Sequence, residues 1–187
     1  MKKIHLHITL LLFTGILITA CSHQPANITP HRSDFSPQEQ KILQSARKII
    51  DSAYFGTFIS IDQNGDAKAR IMEPFAPDKD FTIYLATNPR SRKVQEVEQH
   101  PQATLHYFDR KNIGYVSLYG KASIVKNDSL KNALWKAGWE RFYKNRDKDY
   151  MLIEFKPRYL ELISIPDGYT GDEKTWMPSR VDFYNSK

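Results

Sequence analysis

The sequence predicts an α+β barrel of antiparallel strands with a few short helices. Three observations carry this. Runs of β-branched and aromatic residues outnumber helical patterns, they follow one another without the regular strand–helix alternation a parallel sheet needs, and an Asn64-Gly65 pair joins two of them. The expected order is helix, three strands, helix, two strands, helix, two strands.

The first helix opens with Ser36-Pro37-Gln38-Glu39, a capping box with proline at the first helical position. Ile42, Leu43, Ala46, Ile49 and Ile50 then share one face, so the helix is expected to reach about Ser52. Gly56 to Ile61 and Ala67 to Met72 read as a hairpin about Asn64-Gly65, and Phe81 to Ala86 as a third strand. Asn88 and Pro89 break that strand, Ser91 can cap a second helix with Val94 and Val97 facing inward, and His100-Pro101 ends it. Ala103 to Phe108 and Gly114 to Val125 are further strands. Asp128 can cap a third helix through Leu130, Ala133, Leu134 and Ala137, and Met151 to Phe155 and Tyr159 to Ile165 close the sheet.

The front of the chain reads differently. Lys2 and Lys3 precede an apolar stretch from Ile4 to Ile18 that ends in small residues, the pattern of a secretory signal and too short for a permanent span. Ile18-Thr19-Ala20-Cys21 resembles the bacterial lipobox, which implies cleavage after residue 20, acylation of Cys21 and attachment of a water-soluble domain to the cell envelope through lipid. Ser22 after the acylated cysteine points to the outer membrane where the cell has one. The division expected is a signal over 1–20, a tether over 21–35 marked by Pro25 and Pro30, and one domain over 36–187. Cys21 is the only cysteine, so disulfides are excluded and the core must suffice by itself.

The formal charge of +6 falls to +4 once Lys2 and Lys3 leave with the signal, and the cations from Arg110 to Lys148 alternate with Asp109, Glu140, Asp147 and Asp149. This mixture reads as a solvated face, and no nucleic-acid partner is inferred from it. Only His100 and His106 fall inside the domain, a poor basis for a metal site. Dinucleotide-binding, Walker and nucleophile-elbow motifs do not occur, and no residue stands out as a general acid or base.

One stretch does point to chemistry. The strand before Asn88 runs into a helix start carrying Ser91, Arg92 and Lys93. Unpaired N–H groups and the positive end of the helix dipole favour anions there, and a hydroxyl with two cations would suit a phosphate. The same cations could instead point into water.

Tyr54-Phe55-Gly56-Thr57, Ala69-Arg70-Ile71-Met72, Leu85-Ala86-Thr87-Asn88, Ser91-Arg92-Lys93 and Tyr119-Gly120-Lys121-Ala122, in this order, resemble the pyridoxamine 5'-phosphate oxidase-like superfamily of FMN-binding split barrels, most nearly its general stress protein branch. The resemblance spans about Ser36 to Leu162. It implies a split β-barrel homodimer with FMN at the subunit interface. Arg70, Ile71 and Met72 would lie along the isoalloxazine and phosphate, Ala86 and Thr87 would offer backbone and hydroxyl groups, and Ser91, Arg92 and Lys93 would hold the phosphate. A flavin-dependent oxidoreductase is the activity implied, with substrate and electron donor unnamed; a non-catalytic flavin- or haem-binding lipoprotein is the alternative. Oxidases acting on the vitamin carry a lysine where this chain has Phe75, a glutamine near the flavin where this chain has Tyr115, and an Arg-x-His element where this chain has Pro178 to Phe183. These departures argue against pyridoxamine phosphate oxidation. Trp135, Trp139, Phe142 and Tyr143 follow the general stress branch, as a flavin cover or as core. Lys2-Lys3 is not a twin arginine, so export would be of the unfolded chain and FMN would be captured outside.

Overall fold

The computed structural model describes residues 31–185. The expected signal, Cys21 and most of the expected tether lie outside the described residues. Helix α1 (Pro37–Ala53) starts as its sequence dictates: the Ser36 hydroxyl accepts from the Glu39 N–H, and Glu39 Oε2 accepts from the Ser36 N–H at 2.8 Å. Its buried face is Ile42, Ser45, Ala46, Ile49 and Ile50. His31 to Phe35, read from sequence as tether, pack on the body. Arg32 grips Glu39 through two hydrogen bonds of 2.9 and 3.1 Å, and the His31 ring stacks on Phe183 at 5.5 Å.

Seven strands form one antiparallel sheet: β1 (Gly56–Ile61), β2 (Ala67–Met72), β3 (Ile83–Thr87), β4 (Gln102–Asp109), β5 (Gly114–Ile124), β6 (Met151–Ser164) and β7 (Ser179–Asp182). Their order is β2-β1-β4-β5-β6-β3, with β7 also on β6. The sheet is not closed. Its edge strands approach at the Pro74–Leu85 bridge, beside a 2.9 Å hydrogen bond from the Phe75 N–H to the Tyr84 carbonyl. One side of β6 pairs with β5, while the other takes β3 over its first half and β7 over its second. The two closing strands expected around residue 157 are therefore one. Pro157 sits in it at a register shift opposite Gly120, where a bulge tolerates the missing N–H. A Cβ on Gly120 would lie 2.1 Å from the Lys156 carbonyl oxygen, so no other residue fits there without moving backbone.

The core lies between the curled sheet and α1. Phe58, Leu105, Leu118, Phe155, Leu160 and Phe183 are fully buried in it. β7 was not expected from sequence; it supplies Val181 to this core, and Phe183 follows immediately beyond the strand. The expected third helix is shorter than its apolar pattern suggests: α3 covers Asp128–Ala133, and its cap is Asn127, not Asp128. A single 3₁₀ turn (Trp139–Arg141) and α4 (Arg146–Asp149) follow. This excursion packs Trp139 and Tyr150 with Leu152, and Phe75, Tyr84, Ala86, Trp135 and Tyr143 lean on them. Trp135 and Trp139 thus serve a second core, with ring centroids 6.0 Å apart.

Candidate functional site

Helix α2 (Arg92–Gln99) begins just beyond β3, after a turn in which the Ser91 N–H donates to the Asn88 carbonyl at 2.9 Å. Val94, Glu96 and Val97 form its buried face. Ser91 occupies the N-cap position but makes no side-chain cap. Its hydroxyl lies 3.0 Å from Thr87 Oγ1, which also accepts from Lys93 Nζ at 3.1 Å. From the other edge of the sheet, the Arg70 guanidinium passes 5.8 Å over the Phe58 ring and donates to Ser60 Oγ and, at 2.8 Å, to Glu96 Oε2. Ser60 donates to the same Glu96 oxygen. Arg92 Nε lies 2.7 Å from Glu96 Oε1, an ion pair that lacks hydrogen-bond alignment.

Of the residues expected at the site, Arg70, Thr87, Ser91, Arg92 and Lys93 come together around the first turn of α2, drawn from both edge strands and the helix between them. The side chains of the other three go elsewhere. Ile71 points to the opposite face of β2 and is 68 % exposed, Met72 packs on the core, and Ala86 leans on the second cluster. Only their backbone lies along the β2 and β3 edges. Sequence reasoning missed Ser60 and Glu96. Both had a signal: Glu96 puts a carboxylate on the apolar stripe of Val94 and Val97, and Ser60 takes an inward position on β1 beside Phe58.

Electrostatics tie the cluster together. Burial pushes the Glu96 carboxyl up, but hydrogen bonds from Ser60 and Arg70 and the charges of Arg70 and Arg92 outweigh it and hold the group below the usual carboxylate range. Lys93 is half-buried, and its ammonium is pulled below the usual lysine value by burial and by the neighbouring Arg70 and Arg92 charges, against the opposing pull of Glu96. Three cations thus share one carboxylate. Arg90, nearby in sequence, is occupied by Asp149 at 2.8 Å.

The positions where the sequence departs from vitamin oxidases have structural uses of their own. Phe75 is packed edge-on against Trp139 at 5.6 Å, Tyr115 lies 5.6 Å from the His106 ring, and Arg180 is paired with Asp182 and stacked 3.8 Å over Tyr159. His106 Nδ1 is 2.8 Å from Ser117 Oγ.

An opened antiparallel barrel whose two lips and intervening helix assemble a cationic cluster defines a split-barrel protein. The chain belongs to the pyridoxamine 5'-phosphate oxidase family, whose model matches residues 42–164. General stress protein 26 of Bacillus subtilis (strain 168) is 28 % identical over 130 residues, covering 67 % of this chain and 91 % of that protein. Among solved structures, a protein related to general stress protein 26 from Clostridium acetobutylicum superposes with a TM-score of 0.63 at 19 % identity, covering 76 % of this chain and 95 % of the other. A pyridoxamine 5'-phosphate oxidase-related, FMN-binding protein from Nostoc punctiforme does so with a TM-score of 0.57 at 13 % identity, covering 81 % and 100 %.

Proposed function

We propose that this protein binds FMN at the seam between β2 and β3 and uses it as an envelope-anchored oxidoreductase. The observation that carries the reading is charge. Arg70, Arg92 and Lys93 against Glu96 leave two positive charges beside the first turn of α2, which matches a phosphate monoester, a dianion above its second pKa of about 6. Thr87 and Ser91 add hydroxyls at the same place. The residues fit FMN: these five would hold the phosphate, and the backbone of residues 70–72 and 86–87 would flank the ring. When bound, flavin supplies the electron-transfer chemistry, and the protein's share is placement and electrostatics. No side chain at the cluster is placed as a general acid or base.

Two further parts of the reading rest on other observations. The outer face of the sheet presents Phe55, Ile71 and Phe108, each more than half exposed, and a second copy of the chain covering them would form the homodimer. Cys21 follows the lipobox, so a Cys21→Ser chain would lose membrane association in cell fractionation. The central experiment is a fluorescence titration of the full chain with FMN. Replacing both Arg92 and Lys93 by alanine should weaken binding by about 2–5 kcal/mol, and unchanged affinity would remove the site. Turnover of the FMN-loaded protein with a nicotinamide donor distinguishes an oxidoreductase from a flavin carrier.

A further inference from the structure

Glu96 is an unusual element of an anion site, because it repels the ligand it sits beside. It is 3 % exposed, Ser60 and Arg70 converge on its Oε2, and its Oε1 faces Arg92 Nε at 2.7 Å with no aligned donor. Arg70 comes from an edge strand and Arg92 from the exposed turn of a helix, its side chain 67 % in solvent. Neither would hold a fixed position by packing alone, since a long flexible stem loses rotamer freedom whenever its guanidinium is pinned. Their mutual repulsion, with the Lys93 charge nearby, would also drive them apart.

We infer that Glu96, seated by Ser60, is a positioning residue that aims the Arg70 and Arg92 guanidiniums at the phosphate. The inference rests on the FMN reading given above. Glu96 takes Arg92 by Nε and leaves both terminal Nη groups without a protein hydrogen-bond partner among the described residues, so the fork that pairs best with a phosphate edge is kept for the ligand. By holding Arg70 with Oε2, the same carboxylate fixes the second guanidinium beside the first. Its charge also opposes the burial and the two arginines that pull the Lys93 ammonium below the usual lysine value. The arrangement removes ordering cost before the ligand arrives, which is what preorganised sites do. Positioning therefore outweighs repulsion at this carboxylate.

The test is fluorescence titration of the full chain with FMN and, separately, with riboflavin, which shares the ring and lacks the phosphate. Glu96→Gln preserves shape and a hydrogen bond to Ser60 but drops the charge that pins the guanidiniums. FMN affinity should fall by at least about tenfold, the scale of one charge-assisted hydrogen bond, while riboflavin affinity stays within about twofold. Equal loss for both ligands would overturn the proposal by making Glu96 a fold residue, and a gain or no change for FMN would overturn it by making repulsion dominant. Wild-type chain that does not prefer FMN to riboflavin overturns the phosphate reading itself, a result separable from these. Should Glu96→Gln fail to fold, Ser60→Ala decides. It keeps every charge and loosens Glu96, so a selective loss of about threefold for FMN supports the role, and an unchanged FMN-to-riboflavin ratio overturns it.

Discussion

At the scale of single residues, burial and partner explain more than residue type. His106 lies on the outer side of β4, half-buried and joined to Ser117, and burial lowers its imidazole below the ordinary value of 6.5. Between that lowered value and 6.5 the unfolded chain binds a proton that the folded chain refuses. Stability is then complete above 6.5 and declines as pH falls through the window. Denaturant midpoints measured from pH 7.5 to 5 should drop for the native chain and flatten in His106→Gln. Members of the cationic cluster divide along the same line of legibility. Ser91, Arg92 and Lys93 could be read because helix-start chemistry is local, and Arg70 and Thr87 came through family resemblance. Ser60 and Glu96 escaped because their role depends on β1 and α2 facing each other, a long-range fact that no short motif records.

At the scale of elements, local signals set boundaries well where they act alone. The capping box starts α1 one residue after Ser36, and β1 and β2 occupy the stretches their alternation indicates. The turn between these strands is held by Asp62, whose carboxylate accepts from the Asn64 and Asp66 N–H groups, with Gly65 at a φ of 85°. Ser36→Ala should cost about 1 kcal/mol in thermal or chemical unfolding, the usual value of a lost N-cap. Signals fail where packing overrides them. Gly138 in a left-handed conformation and the demand of Trp139 and Tyr150 for burial end the third helix at Ala133, although its apolar spacing continues. Pro157 looked like a strand break because proline removes a ladder donor, yet the bulge at Gly120 absorbs it. β7 was invisible because only Val181 in Ser179–Asp182 is buried, leaving no apolar alternation to see.

At the scale of the whole molecule, α1, the chain before it and β7 act as one closure on the barrel. Phe183 touches His31, Phe35 and Phe81 at centroid distances of 5.5, 6.1 and 5.3 Å, and Arg32 bonds the Asp182 carbonyl at 3.0 Å. Phe183→Ala should therefore destabilise by about 3–5 kcal/mol, the range for an aromatic ring removed from a packed core, read as a shift in denaturant midpoint without change of slope. The fold class was legible because strand runs and their order survive without knowledge of pairing. The incomplete closure came only through the family resemblance, and its place between β2 and β3 was not legible, since it depends on which edges meet.

β6 carries one further consequence. β3 and β7 both hydrogen-bond to it on one side and β5 on the other, and none of that ladder exists until residues 151–164 have been made. A growing polypeptide that stops at Tyr150 can zip β1, β2, β4 and β5 together but leaves β3 with only the bridge to Pro74. Completion of the sheet is thus deferred until β6 has been made. The cationic cluster at the seam, which needs both lips, can therefore take its place only after β6 has arrived.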